Sequence, residues 1–292
     1  MHRTVKPSKK GNHMAKKKWR GFFWILPSFS GVAAFYLLPY ADVVRRSFLG
    51  AVDNRFAGIS NYQAIMENTA FRLAVRNTIK FTLSCIPVLV LLALACAVAL
   101  CRSKYGGVIK SAFLMPMALP AVSVALVWRL LFHSQGLLND WLENMGLAGQ
   151  DWMNGKSAFW ILVISYIWKN LGYDIVLWMA GLAGISENIY EAAKVDGAGE
   201  WKCFLHITLP NLKPSFYTIT VLSFLNSFKV FREAYLVAGD YPHESIYMMQ
   251  HLFNNWFRNF SFDKMAAAAV VESVVLLGLI LLLQKAWDSG AE

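Results

Sequence analysis

Long apolar stretches with almost no charge are the feature that most constrains this chain. No Asp, Glu, Lys or Arg occurs between residues 81 and 101, and the whole chain has 16% charged residues against 57% hydrophobic ones. Soluble domains usually contain about 25% charged residues. As a helix, about 20 mostly apolar residues match the thickness of the hydrocarbon core of a bilayer. The chain is therefore predicted to be an all-α integral membrane protein.

Six apolar stretches are present, and we predict that each forms a transmembrane helix. Their approximate bounds are residues 21–41, 79–101, 108–132, 158–182, 214–237 and 265–285. The first stretch also resembles a cleaved signal peptide, but Pro27, Pro39 and the lack of a small-x-small cleavage site favour an uncleaved span. Pro116 and Pro120 predict a kink in the third span that faces other helices, since neighbours can satisfy the freed carbonyls.

The distribution of Lys and Arg predicts the orientation. Residues 1–20 form a basic tail with no acid, and the tail supplies +8 of the net charge of +10. A basic run beside an apolar run is typical of a cytoplasmic anchor, and no nucleic-acid-binding motif accompanies it. Arg102, Lys104 and Lys110 indicate that the loop after the second span is also cytoplasmic. Six spans then place both termini in the cytoplasm, and residues 185–213 form a cytoplasmic loop between the fourth and fifth spans.

This cytoplasmic loop is the most informative part of the sequence. Residues 187–195 favour a helix that Ser186 caps and that Gly197 ends. A second short helix is predicted over residues 200–208, and it must stop before Pro210. Four residues would share an apolar face: Tyr190, Ala193, Phe204 and Ile207. Such a helix pair either lies on the lipid headgroups or docks a soluble partner.

The loop resembles the EAA loop of bacterial ABC importer membrane subunits. The matching pattern is E-A-A-x-x-D-G-A at residues 191–198, followed by F-x-x-I-T-L-P-x-x-x-P at residues 204–214. The wider chain is similar to the compact six-span form of the carbohydrate-type permeases, a group that includes maltose and glycerol-phosphate importer subunits. The similar segments are residues 24–39, Phe56-x-Gly58-x-x-Asn61-Tyr62, residues 116–128, Gly136-x-x-Asn139 and Trp168-x-x-x-Gly172.

This resemblance implies a permease subunit of an ATP-driven importer in the bacterial plasma membrane, for a sugar, oligosaccharide or related polyol. In that family the loop seats in a cleft on a cytoplasmic ATPase. The implied partners are two such ATPases, a second related permease and an extracytoplasmic solute-binding protein. The implied coupling residues are Glu191, Ala192, Ala193, Asp196, Gly197, Ala198, Phe204 and Pro210.

No catalytic role, cofactor or metal site is expected on this chain itself. It has no G-x-x-x-x-G-K-[ST] phosphate loop, so ATP and magnesium are expected on the partner ATPase. The four cysteines and six histidines show no metal-ligand spacing.

Polar residues inside the spans indicate where a solute could pass. Ionisable side chains in spans usually face a cavity or a partner, and aromatic and amide groups beside them suit a sugar. The candidate pathway residues are Tyr166, Trp168, Lys169, Asn170, Tyr173, Asn226, Phe228, Lys229, Phe231 and Glu272. Internal pairing, for instance of Lys229 with Glu272, is an equally good interpretation. Arg129, near the outer end of the third span, is expected to snorkel to the headgroups.

Two other classes of function fit the sequence less well. An ion-gradient-driven secondary transporter would use Glu272 and Asp174 as proton or sodium sites, but the sequence shows no internal repeat and the docking loop would then have no purpose. A membrane-embedded enzyme is disfavoured because neither H-E-x-x-H nor G-x-S-x-G occurs.

Overall fold

A computed structural model describes residues 24–51, 53–101, 103 and 106–288. The basic tail of residues 1–20, together with Arg102 and Lys104, lies outside these described residues. Within them the secondary structure is helical, and the one extended pairing is an isolated bridge between Leu49 and Phe56. The prediction of an all-α protein is confirmed for this part of the chain.

The helices are α1 Trp24–Arg46, α2 Ser60–Glu67, α3 Thr69–Cys101, α4 Gly106–Ala118, α5 Ala121–Phe132, α6 Leu137–Asn144, α7 Ser157–Ala183, α8 Glu187–Val195, α9 Glu200–Cys203, α10 Lys213–Ser227, α11 Phe231–Ala238, α12 Met249–Arg258 and α13 Phe262–Asp288. A π-helical turn, Phe204–Thr208, and a short helical stretch, Leu209–Asn211, follow α9. A 3-10 turn, Phe228–Val230, joins α10 to α11. The chain divides into two compact units, Met1–Ile65 with Ser261–Ser273, and Met66–Phe260 with Val274–Glu292.

In the first unit, a buried asparagine fixes the turn that follows α1. The Nδ2 atom of Asn61 donates to the carbonyls of Ser47 at 3.0 Å and Leu49 at 2.8 Å. The hydroxyls of Tyr62 and Ser47 are 2.6 Å apart. Because buried backbone carbonyls need donors, these contacts give a structural reason for the Asn61-Tyr62 part of the sequence motif.

In the second unit, the core forms where α3 packs along α7 and α10. One cluster of buried side chains surrounds Phe81, Phe159 and Tyr166. A second surrounds Trp178 and Ile219, and the indole Nε1 of Trp178 donates to the carbonyl of Val90 at 3.1 Å. These clusters fix the positions of α7 and α10, the two helices that carry most of the candidate pathway residues.

Gly172 sets how closely α4 approaches α7. A Cβ atom at this position would clash with the backbone carbonyl of Phe113 on α4. A larger residue would therefore force the two helices apart, because backbone atoms cannot rotate out of the way as a side chain does. This contact explains the glycine of the Trp168-x-x-x-Gly172 motif.

The third predicted span is two helices, where a single kinked helix was expected. Helix α4 includes Pro116 and ends at Ala118, and α5 begins after Pro120, whose ψ of 146° is extended. The residue before a proline disfavours the helical conformation, and proline itself cannot donate a helix hydrogen bond. Pro120 therefore interrupts the span, whereas Pro116 is accommodated inside α4.

Four helical stretches in the described part of the chain are long and apolar enough to cross a membrane: Trp24–Arg46, Thr69–Cys101, Ala121–Asn144 and Phe262–Lys285. Helix α7 and the α10–α11 region are not among them. Both contain charged residues at the centre of otherwise apolar sequence, including Lys169 in α7 and Lys229 between α10 and α11. These charges lower the mean hydropathy of the two regions, which carry the candidate pathway.

The loop after α5 is organised around a second buried asparagine. The Nδ2 atom of Asn139 donates to the carbonyls of Ser134 and Gln150, both at 2.8 Å. Its Oδ1 atom accepts from the indole Nε1 of Trp152 at 2.8 Å. Asn139 thus holds the loop between α6 and α7 and gives the Gly136-x-x-Asn139 motif a structural role.

Candidate functional site

The first candidate site is the α8–α9 segment, residues 187–211, which carries the EAA-like motif. Helix α8 occupies the predicted residues and ends in two hydrogen bonds, from Ala198 N–H to the Ala193 carbonyl at 2.9 Å and from Gly197 N–H to the Lys194 carbonyl at 3.0 Å. Gly197 has a φ of +77°. This pattern of bonds closes a helix C-terminus with a residue in the left-handed region, where glycine is favoured.

Two sequence expectations for this segment are wrong in detail. Ser186 lies at the N-cap position of α8, but its side chain makes no capping hydrogen bond. The second helix does not stop before Pro210. After α9 the chain forms a π-helical turn over Phe204–Thr208, which is wider than an α-helical turn, and it stays helical through Asn211. In a regular helix the proline ring would clash with the carbonyl four residues earlier, and the wider π-helical turn directly before Pro210 accommodates the ring without ending the helix.

The two halves of the segment are held against each other by polar and apolar contacts. The hydroxyls of Tyr190 and Thr208 are 2.8 Å apart, and the buried Cys203 thiol faces the carbonyl of Ala198 at 3.8 Å. All four residues of the predicted apolar face, Tyr190, Ala193, Phe204 and Ile207, are half-buried. The segment is therefore a preformed unit with an inner and an outer side.

The outer side presents most of the predicted coupling residues. Glu191, Ala192, Asp196, Gly197 and Pro210 are exposed, whereas Ala193, Ala198 and Phe204 are half-buried. The ring of Phe204 stacks on Trp201, which is 70% exposed, and Val195 is 88% exposed. Within the described residues the Glu191 carboxylate has no hydrogen-bond or ion-pair partner, and a Cβ on Gly197 would meet nothing within 4 Å. An acidic group, small residues and exposed apolar side chains thus share one open surface.

The second candidate site lies on α7, α10 and α11. The Tyr166 hydroxyl donates to the carbonyl of Ser223 at 2.8 Å, and the Ser223 hydroxyl donates to Oδ2 of Asp174 at 2.7 Å. All three residues are buried. Tyr166 was predicted to contact solute, but the structure places its side chain in the contact between α7 and α10. This geometry supports a packing role, and in the same network the Ser223 hydroxyl donates to Asp174.

A buried ion pair joins α7 to α11. The ammonium of Lys169 contacts the carboxylate of Glu233, and their side chains are only 19% and 8% exposed. Sequence reasoning placed both residues in spans but did not pair them, because they are 64 positions apart. Internal pairing is therefore what the structure shows for Lys169, with Glu233 as the partner that the candidate set lacked.

The remaining candidates have mixed surroundings. Lys229 donates to Oδ1 of Asn226 at 2.7 Å, and Asn170 donates to the Tyr166 carbonyl at 2.8 Å. Trp168 packs edge-on against Trp128 with ring centres 5.9 Å apart. Four further candidates, Tyr173, Phe228, Phe231 and Glu272, are half-buried. Glu272 belongs to the other compact unit, so its suggested pairing with Lys229 stays a prediction.

Arg129 has a structural role that differs from snorkelling. Its guanidinium donates to the carbonyls of Leu236 at 2.9 Å and Val237 at 3.0 Å, in the last turn of α11. Carbonyls at a helix C-terminus have no partner within the helix and carry partial negative charge. Arg129 therefore supplies hydrogen-bond donors to the last carbonyls of α11 and connects this helix to α5.

Sequence reasoning missed a polar cluster between α11 and α12. Asp240 accepts from Asn254 at 2.9 Å and pairs with Arg258, and this guanidinium holds the pKa of the Asp240 carboxyl below its usual range. His251 is fully buried, and burial lowers its pKa to about 4. Its Nδ1 atom accepts the N–H of Met248 at 3.3 Å, and its ring packs edge-on against Phe231. This cluster therefore links α12 to a candidate pathway residue.

Among the described residues, no three His, Cys, Asp or Glu side chains lie close enough together to hold a metal ion. All four cysteines are free thiols.

Comparisons with known proteins agree with these features. The profile of the family "Binding-protein-dependent transport system inner membrane component" matches residues 64–289. The arabinooligosaccharides transport system permease protein of Bacillus subtilis (strain 168) is 32% identical over 76% of this chain and 72% of its own length. The trehalose/maltose transport system permease protein of Thermococcus litoralis is 28% identical over 94% of this chain and 97% of its own.

A solved structure has the same fold. It is the crystal structure of a bacterial ABC transporter involved in the import of the acidic polysaccharide alginate, with a TM-score of 0.78 and 22% identity over 96% of this chain and 99% of that one. The resemblance noted in the sequence is confirmed by the family match, and the apolar helices agree with a multi-pass membrane protein. The chain belongs to the family of inner membrane components of binding-protein-dependent transport systems.

Proposed function

We propose that this chain is one permease subunit of an ATP-driven saccharide importer and that it forms half of the solute pathway. The two relatives named above carry arabinooligosaccharides and trehalose or maltose in their names. A sugar, oligosaccharide or related polyol is therefore the proposed class of solute.

The observation that carries the proposal is the α8–α9 segment. It closes on itself through the Gly197 turn and the contact between Tyr190 and Thr208, so its shape does not depend on a partner. It nevertheless leaves a carboxylate at Glu191 and an indole at Trp201 facing outwards. Aromatic side chains are enriched at protein interfaces, and an exposed carboxylate offers a site for a basic group. We assign this surface to a cytoplasmic ATPase.

The proposed topology has six membrane spans with both termini in the cytoplasm. In addition to the four apolar stretches, α7 and the α10–α11 region would cross the membrane, with the exposed Lys229 and Arg232 turned towards the pathway or partner subunits. The α8–α9 segment would then lie on the cytoplasmic side, between the fourth and fifth spans. A second related permease, two ATPases that bind ATP and magnesium, and an extracytoplasmic solute-binding protein would complete the assembly.

The solute pathway is proposed to run beside α7, α10 and α11. Trp168 is partly exposed, and Asn170, Tyr173 and Asn226 are half-buried. Aromatic faces and amide groups together can stack on a sugar ring and hydrogen-bond its hydroxyls. We keep these four residues as solute contacts and assign Tyr166 and Lys169 to structural roles.

Gly197→Asp tests the coupling role. The structure leaves open space at Gly197, so the variant is expected to insert and assemble in the membrane, but Asp strains the left-handed turn at φ +77° and should disturb the surface that docks the ATPase. Uptake in cells that lack the native gene should fall to background, at a membrane level of the protein close to that of the unaltered chain.

Gly199→Asp is the matched control, since it adds the same charge two residues away, where φ is −71° and the open surroundings are similar. Asp is favoured at this helix N-cap position, so uptake should persist. Normal uptake with Gly197→Asp at normal abundance would refute the coupling role. Equal loss in both variants would assign the defect to the added charge and not to the turn.

A further inference from the structure

Two cationic side chains on the proposed pathway have no acidic partner among the residues that the structure describes. Lys229 lies in the 3-10 turn between α10 and α11, and Arg232 lies three residues further along, in the first turn of α11. Residues three apart in a helix are neighbours on one face. Both side chains are exposed. At about 1.5 Å per residue, Lys229 is roughly 24 Å and Arg232 roughly 28 Å from the start of α10, towards the outer side of a hydrocarbon core about 30 Å thick.

The acidic residues of α7 and α11, Asp174 and Glu233, are already engaged. Glu233 forms the buried ion pair with Lys169. Asp174 is buried and accepts the Ser223 hydroxyl. Among the residues that the structure describes, Lys229 donates only to the amide oxygen of Asn226, and Arg232 forms no ion pair. The pair therefore contributes two positive charges that the described part of the second unit does not neutralise.

Such charges at membrane depth restrict what the surface can face. A Lys or Arg inside the hydrocarbon core costs free energy, most of all at its centre, so these side chains turn towards a water-filled pathway or a partner and not towards lipid. An ammonium and a guanidinium on one face also suit an anion: the guanidinium fork binds two oxygens of a carboxylate, sulfate or phosphate, and the ammonium adds a point charge. Asn226 holds Lys229 in place for such a contact.

We infer that the imported saccharide is anionic and that Lys229 and Arg232 bind its acidic groups during passage. This inference rests on the proposed function and adds to it the charge of the solute. Because Lys169 is paired with Glu233, its charge is not available to bind an anionic solute. Lys229 and Arg232 are therefore the cations that we assign to the acidic groups.

The test uses the complete importer, reconstituted in proteoliposomes with ATP supplied at the ATPases. The probes are matched pairs of the same chain length: oligouronates and sulfated or phosphorylated oligosaccharides, each with its neutral counterpart. Acidic probes should be taken up in preference to neutral ones. In the double variant Lys229→Gln/Arg232→Gln, the half-saturating concentration of the acidic probe should rise by about tenfold or more, the effect of losing one or two charge-assisted hydrogen bonds. Any uptake of the neutral counterpart should change by less than about twofold.

Two control variants accompany the double variant. Lys156→Gln removes an exposed positive charge from the loop before α7, outside the pathway, and should leave the preference unchanged. The exchange Lys229→Arg/Arg232→Lys keeps both charges and should retain the preference for acidic probes, which separates loss of charge from failure to fold.

Exclusive uptake of neutral saccharides would overturn the inference and leave the proposed function standing. Equal losses for acidic and neutral probes in the double variant would also overturn it, because the charges would then serve assembly with a partner subunit. ATP-dependent uptake of no saccharide of either kind would instead contradict the proposed function.

Discussion

At the level of single residues, the pair formed by Lys169 and Glu233 determines how charge is distributed along α7 and α11. Both side chains are largely buried, so each ion depends on the other to offset the cost of leaving water. Removal of one partner leaves an uncompensated buried charge. Removal of both leaves two neutral side chains of similar size, which is far less costly.

Substitutions at this pair should therefore be strongly non-additive. Lys169→Gln or Glu233→Gln alone is expected to destabilise the folded subunit by about 3–5 kcal/mol, and the double variant should recover most of that loss. Thermal unfolding of the purified protein measures the effect. If the double variant is as unstable as the two single variants added together, the charges do not stabilise one another.

The same double variant also decides between packing and solute contact for Lys169. Recovery of stability together with uptake would assign the lysine to the bundle. Recovery of stability without recovery of uptake would indicate that Lys169 contacts the solute.

At the level of elements, the structure shows which features local sequence could reveal. The bounds of α8 follow from helix-favouring residues and from Gly197, which lies next to them in the chain, so they were predictable. The π-helical turn before Pro210 was not predictable from local sequence. It depends on how the chain relieves the clash between the proline ring and the carbonyl one turn earlier. The break at Pro120 was anticipated only as a kink.

Contacts between residues that are far apart in the chain also could not be predicted from the sequence. The partner of Lys169 lies on α11 and the donor to Asp174 lies on α10, and no spacing rule connects them. The position of Arg129 near the end of a span predicts that its side chain reaches the headgroups. Only the fold brings the end of α11 within its reach. The family motifs at Asn61, Asn139 and Gly172 were visible in the sequence, but their structural roles were not.

The attachment of α12 is expected to weaken in acid. His251 is fully buried, its Nδ1 atom accepts the Met248 N–H, and burial lowers its pKa to about 4 from a usual value near 6.5. A detached α12 would bind the proton more readily than the packed one. The contribution of neutral His251 is therefore complete above about pH 6.5 and is lost as the pH falls towards 4.

Hydrogen exchange of α12 amides, corrected for the intrinsic effect of pH, measures this opening at pH 7.5 and pH 5. Exchange should be faster at the lower pH in the unaltered chain. In His251→Asn, whose amide oxygen can replace the Nδ1 acceptor but does not titrate in this range, the difference between the two pH values should largely vanish. An equal pH effect in both proteins would place the sensitivity elsewhere.

At the level of the whole molecule, two surfaces of the chain require partners. The α8–α9 segment offers an outward carboxylate and indole on a self-contained scaffold, and the α10–α11 region carries exposed charge in a proposed span. A single subunit with these two surfaces is well suited to couple movement of an ATPase at one end to a solute pathway in the middle. A stand-alone carrier driven by an ion gradient would have no use for the first surface.

The energy source therefore tests the central claim most directly. Saccharide uptake should be measured in proteoliposomes that contain the complete assembly, with ATP supplied only on the side of the α8–α9 segment or with a proton or sodium gradient in place of ATP. We expect accumulation with ATP and magnesium, none with either gradient alone, and none with ATP when this chain carries Gly197→Asp. Accumulation driven by an ion gradient without ATP would contradict the proposal that this chain is a subunit of an ATP-driven importer.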